Sequence, residues 1–138
     1  MRAIRLKLIK VISQALRSLS FPEKEFSLAP PKNSDFGDLS SNIALLLARD
    51  LNKPPMDICR SILEELKNSL PEHVDNISIT KPGFMNFQIS NKFFQSQITI
   101  ILEDGKNYGK GDSGYGKTAN VEFISANPTG PLTVGHGR

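Results

Sequence analysis

An α+β fold, with about four helices packed on one face of a small antiparallel sheet, is predicted by three features of the 138-residue sequence. Apolar residues recur at helical spacing as far as residue 70. The period then shortens to two between residues 77 and 89. A further helical stretch follows, and glycine-rich chain then interrupts every pattern.

The elements follow in order. Ile4, Leu8, Val11, Ile12, Ala15 and Leu19 form a stripe at spacings of three and four, which predicts a helix over residues 2–19 that ends at Phe21-Pro22. Residues 25–29 read as a short strand with Phe26 and Leu28 on one face, and Pro30-Pro31-Lys32-Asn33-Ser34 as a loop. A second helix is predicted over 38–51, with Asp38 or Ser40 as N-cap and Ile43, Leu46, Leu47 and Leu51 on its apolar face. A third runs from about Met56 to Leu70 and stops at Pro71. Residues 77–80 and 84–89 alternate around Lys81-Pro82-Gly83, the pattern of a hairpin. Asn91 caps a fourth helix ending near Glu103. A Gly/Lys-rich linker follows, and Val121-Glu122-Phe123-Ile124 reads as a strand.

Composition sets the class. The chain is 38% hydrophobic and long enough to bury a core without staples. A lone Cys59 and two histidines exclude a disulfide framework and offer no metal cluster, and Cys59 reads as a buried small hydrophobe. No apolar run has the length of a membrane span, and no secretory leader is visible, so the expectation is cytoplasmic, without membrane partners. The formal charge is only +3, yet Arg2, Arg5, Lys7, Lys10 and Arg17 share residues 1–20 with no acid. Such a face either is simply solvated or meets a polyanion.

Two motifs are decoys. Residues 111–118, GDSGYGKT, match the phosphate-loop pattern, but that loop needs a strand before it and a helix after it. Here the order is reversed, so a tether is the better reading. Asp35-Phe36-Gly37 spells a kinase metal motif without the companion kinase motifs, and reads as a turn in which Gly37 permits the bend.

The last residues, VEFISANPTGPLTVGHGR, carry more. A strand leading into an Asn/Pro/Thr/Gly turn and then T-V-G-H has the layout of a first β–α unit, where phosphates or adenine meet a helix N-terminus. Gly135 would let a ligand approach the backbone, and His136 could donate to a phosphate oxygen. This segment resembles the first signature of class I aminoacyl-tRNA synthetases, and in its full form that of bacterial-type arginyl-tRNA synthetases. Two upstream segments agree: residues 35–44, DFGDLSSNIA, and residues 81–87, KPGFMNF, are similar to that family's F-G-D and G-P-G-F segments.

The resemblance implies a division. Residues 1–108 would be the family's additional tRNA-binding domain, 109–120 a linker, and 121–138 the first strand and signature turn of a truncated Rossmann-type catalytic domain. Ser125 and Asn127 would hold arginine; Thr133, Gly135 and His136 would serve ATP, with His136 catalytic and Thr133 standing where the first signature histidine falls. The second signature is absent, so these residues are expected to be inactive alone, with no cofactor of their own. The whole enzyme would take arginine, its tRNA, and ATP with magnesium, and would be monomeric.

The family holds a D-loop nucleotide of the tRNA elbow against the strand after the G-P-G turn. The matching positions are Lys81, Phe84 and Asn86: a phosphate contact, a stacking ring and an amide able to read a base edge. Alternatives stand beside each. Phe84 is as readily a core ring, Phe87 is the better core candidate, and Asn86 could satisfy a turn backbone. A rival reading makes the domain a protein-interaction module that docks on a catalytic domain without binding RNA itself. A third makes it a nucleotide-binding protein using GDSGYGKT.

Overall fold

The computed structural model describes residues 1–67, 69–112, 114–122 and 129–137, with side chains at 136 and 137 excluded. It comprises two units, Met1–Glu103 and Asp104–Arg138.

The first unit contains the predicted helices and sheet. Helix α1 spans Arg2–Ser18 and buries Ile4, Leu8, Ile12, Ala15 and Leu16. Its basic residues flank that stripe, and Arg17 in the last turn opposes the negative end of the helix dipole while pairing with Glu23 at 3.5 Å. Strand β1 is only Leu28–Ala29, shorter than the 25–29 predicted, though Phe26 still packs on the core. A 3₁₀ turn at Ser34–Phe36 leads to strand β2, Leu39–Ser41, and helix α2, Ile43–Leu51. Helix α3, Pro55–Leu66, starts with proline in the first turn, where the missing N–H costs nothing, and stops short of Leu70. Strands β3, Val74–Thr80, and β4, Phe84–Ile89, form the hairpin; helix α4 spans Asn91–Asp104.

The sheet order is β1-β2-β4-β3, and every pair is antiparallel. Leu39, Met85 and Phe87 are fully buried and share one face with Ile89. Helices α2 and α3 lie on the sheet and α1 packs against α3. Cys59 of α3 is buried in this core, and desolvation pushes its thiol up to about 11. Helix α4 adds Phe93 to the same core but leaves Ile98, Ile101 and Leu102 exposed.

The prediction of a helix over 38–51 is corrected. Residues 39–41 are a strand, with Leu39 opposite Phe87 and Ser41 opposite Met85. Asp38 caps no helix. Its backbone N–H donates to the Phe87 carbonyl at 2.9 Å, and its carboxylate accepts from the Ile89 N–H at 2.7 Å. Ser41 Oγ instead accepts the first free N–H of α2, from Ile43 at 3.3 Å. A strand this short has too few alternations to outweigh the adjoining helical period; pairing with β4 decides it.

In the second unit, the residues whose burial is described are all exposed. The GDSGYGKT segment forms turns at its described residues, after α4 and with no helix opening behind it through residue 122. Val121 and Glu122 carry no strand, and the rest of the strand expected there lies outside the described residues.

Candidate nucleic-acid interface

Strand β4 alternates between two surroundings. Met85, Phe87 and Ile89 point into the core, whereas Phe84, Asn86 and Gln88 point to the opposite face. Antiparallel register then places Ser40 of β2 and Ser78 of β3 on either side of Asn86, and Thr80 beside Phe84. The second face is therefore paved with small polar side chains around one ring.

A cleft of about 350 Å³ opens over this face. Its floor is Ser40, Thr80, Phe84 and Asn86; its far wall is the loop Pro30-Pro31-Lys32-Asn33 together with Phe36. The volume lies in the range of sites for small ligands or single bases. The lining includes Lys32 and Lys81 and no carboxylate, so it favours an anionic occupant.

Asn86 is the best-defined polar group in the cleft. It is only 2% exposed, and its Nδ2 donates to Thr80 Oγ1 at 3.0 Å. This side-chain bond replaces the turn-backbone role that was open from sequence. It also holds the amide plane, because a buried amide without a partner is costly. Phe84 is half-buried and Phe87 fully buried, so the ring on the open face is Phe84. Lys81 is exposed at the hairpin turn. That turn is seated against α3: a Cβ on Gly83 would lie 2.4 Å from Pro55 Cβ, so only glycine allows the approach.

The opposite wall is held as firmly. The Asn33 side chain accepts from the Asp35 N–H at 3.0 Å, closing the 3₁₀ turn. Ser27 donates from its N–H and its hydroxyl to Asn42 Oδ1, both at 3.3 Å, tying β1 to the start of α2. Gly37 has φ +95°, and a Cβ there would stand 2.9 Å from the Phe87 carbonyl oxygen. The loop is thus pinned to β4 through Gly37 and Asp38.

The structure brings together Lys81, Phe84 and Asn86, the residues chosen from sequence as a group. Sequence reasoning missed Lys32 and Phe36, which join the site from about fifty positions upstream. The Pro30-Pro31 stiffening beside Asp35-Phe36-Gly37 was the available signal, but nothing local says which face the loop overhangs. The basic residues of α1 take no part in this cleft, since α1 packs on α3 at the covered side of the sheet. Of the second group of candidates, Ser125 and Asn127 lie outside the described residues. Thr133 and Gly135 are exposed, and His136 belongs to a 3₁₀ turn, Val134–Gly137. Among the described residues no set of His, Cys, Asp and Glu could hold a metal ion, and no helix is long and apolar enough to cross a membrane.

The chain is similar to known proteins in sequence and in fold. Residues 6–89 match the family described as arginyl tRNA synthetase N terminal domain. The chain is 43% identical over 132 residues to an arginine–tRNA ligase of Prosthecochloris aestuarii, covering 95% of this chain and 24% of that protein. It is 43% identical over 136 residues to an arginine–tRNA ligase of Thermotoga maritima, covering 99% of this chain and 24% of that one. The chain thus spans about a quarter of the length of these relatives. Among solved structures, Thermus thermophilus arginyl-tRNA synthetase aligns with a TM-score of 0.60 at 27% identity, over 67% of this chain and 15% of that one. The arginyl-tRNA synthetase of Plasmodium falciparum shares the fold, with a TM-score of 0.57 at 15% identity over 69% of this chain and 17% of that one.

Proposed function

Since this chain belongs to the arginyl-tRNA synthetase N-terminal domain family, we propose that it supplies tRNA D-loop recognition to an enzyme that attaches arginine to its tRNA with ATP. The observation that carries this reading is the cleft on the open sheet face, where a ring, a buried amide and two lysines converge. Each group meets a need of RNA recognition. An unpaired D-loop base lies on the Phe84 ring; such stacking is worth about 1–3 kcal/mol. The Asn86 amide, held by Thr80, meets the edge of that base and distinguishes bases by donor and acceptor pattern. Lys81 and Lys32 contact the flanking phosphates, which position the strand without reading it. Within the same proposal, Ser125 and Asn127 contribute to the arginine site, and Thr133, Gly135 and His136 to the ATP site, once a complete catalytic domain surrounds them.

A titration of the 138-residue chain with tRNA for arginine, and with the same tRNA carrying a changed D-loop base, tests the recognition. Binding is expected to weaken with salt, at about −0.7 in log affinity per log salt for each phosphate neutralised. It should also drop for the altered loop. Equal affinity for both tRNAs at both salt concentrations would remove the assignment. One observation favours a second reading, the protein-docking module: Ile98, Ile101 and Leu102 of α4 are 58%, 40% and 75% exposed. That reading predicts feeble RNA binding that salt does not change.

A further inference from the structure

Asp35-Phe36-Gly37 forms a turn, and the Phe36 side of that turn borders the cleft. Phe36 is 44% exposed, although the segment that carries it is anchored on both sides. The Asn33 side chain closes the 3₁₀ turn in front of it. Behind it, Gly37 packs against the Phe87 carbonyl and Asp38 bonds β4 through both its backbone N–H and its carboxylate. None of these anchors uses the ring. A phenyl group held out on a fixed turn, over a cleft, leaves apolar area in water that the fold itself does not require.

Phe84 borders the same cleft from the strand side. Ring pairs in contact among the described residues are His73–Phe93 and Phe93–Phe94, so Phe36 and Phe84 do not stack on each other. Two aromatic groups, one on the Ser34–Phe36 turn and one on β4, therefore line one cleft without stacking on each other.

We infer that Phe36 is a second stacking surface, and that the occupant is an unpaired nucleobase clamped between the Phe36 ring on the loop and the Phe84 ring on β4. The inference rests on the tRNA reading above and deepens it. Three features select this occupant over an apolar peptide or lipid. The floor offers the edge-reading amide of Asn86, the walls carry Lys32 and Lys81 without a carboxylate, and a base is flat on both sides, so it uses two rings where an aliphatic group would not. The clamp also accounts for the anchored loop. Strand β4 supplies the amide and one ring, and the loop closes over the exposed face of the base.

The test compares the intact tRNA for arginine with versions made abasic at each unpaired D-loop position in turn, titrated with the 138-residue chain and its variants. Phe36→Ala and Phe36→Leu are expected to weaken binding to the intact tRNA by about 5-fold to 100-fold, since stacking is lost. Phe36→Tyr keeps the ring and retains affinity. On the abasic tRNA that itself binds least, Phe36→Ala is expected to cost nothing further. Leucine and tyrosine guard against a fold defect, because both preserve apolar bulk at an exposed position. If Phe84→Ala and Asn86→Ala weaken binding while Phe36→Ala does not, the clamp is wrong and the tRNA reading stands. If Phe36→Ala weakens intact and abasic tRNA equally, the ring shapes the loop and does not stack, which also overturns the clamp. If the parent chain fails to distinguish intact from abasic tRNA, the tRNA reading itself fails.

Discussion

Phe84 and Phe87 stand three residues apart on one strand and meet opposite surroundings. Phe87 is fully buried beneath α2 and α3, with Leu39 and Ile77 as its cross-strand neighbours. Phe84 is half-buried beside Thr80, on the face that helices α2 and α3 leave uncovered. The residue type is the same, so chemistry alone does not separate the core ring from the ring on the open face. The pleat does: an odd separation along a strand puts two side chains on opposite faces. The core face is built from apolar groups with nothing to offer a ligand. The open face carries one ring, a tethered amide, hydroxyls and lysines, and so combines flat apolar area with groups that can read a base.

The comparison is sharpest where the two faces respond differently to the same change. Phe87→Ala is expected to lower stability by about 3–5 kcal/mol, the usual cost of emptying a large core site. Phe84→Ala should leave the melting temperature within a few degrees of the parent and act on tRNA affinity instead. A urea or thermal melt of both variants decides between them, and equal melting temperatures would break the assignment of faces. Asp38→Ala removes a charged acceptor from the Ile89 N–H, and should cost about 1.5–3 kcal/mol in the same melts. Because Asp38 also pins the loop to β4, this variant should weaken tRNA binding beyond its stability defect. Gly37→Ala is expected to cost about 1–3 kcal/mol, from a positive φ and a Cβ 2.9 Å from the Phe87 carbonyl oxygen.

The smallest effect concerns the core face alone. Cys59 has its pKa raised from 9.0 to about 11, so the folded chain holds its proton where the unfolded chain has released it. The sign follows directly. The stabilising contribution is whole below pH 9 and is lost as pH rises toward 11. A melting series across that window should decline in the parent and decline less in Cys59→Ser, while the proposed tRNA binding at the open face is expected to be unchanged by the substitution. A parent whose stability is flat over those values would show that the thiol is not desolvated.

Much of this was legible in residue order. The stripe Ile4, Leu8, Ile12 and Ala15 specifies α1 without outside help, because helical spacing repeats over enough turns to be unambiguous. Residues 84–89 likewise separate Phe87 from Gln88 by period alone. Lys81, Phe84 and Asn86 were found as a group because the KPGFMNF segment resembles that of the arginyl-tRNA synthetase family, which the residue types alone did not settle. Strand β2 was hidden: three residues cannot establish a period, and the strong helix after them absorbed them into its own pattern. The role of Asp38 was misread for the same reason, since its partner Ile89 is fifty-one positions away.

Residue order therefore settles the long-range repeats: where the longer helices run, where the hairpin turns and which side of β4 is apolar. Those follow from steric preferences and periodicity, which act over a few neighbouring residues; the family was legible separately, from the likeness of its motifs. The cleft arises only in three dimensions. Pairing of β2 with β4 carries the Pro30–Phe36 loop over a hairpin that lies far along the chain, and hydrogen bonds from Asp38 and packing at Gly37 fix it there. Such contacts depend on which strand edges meet once the core has formed, and no local pattern encodes that meeting.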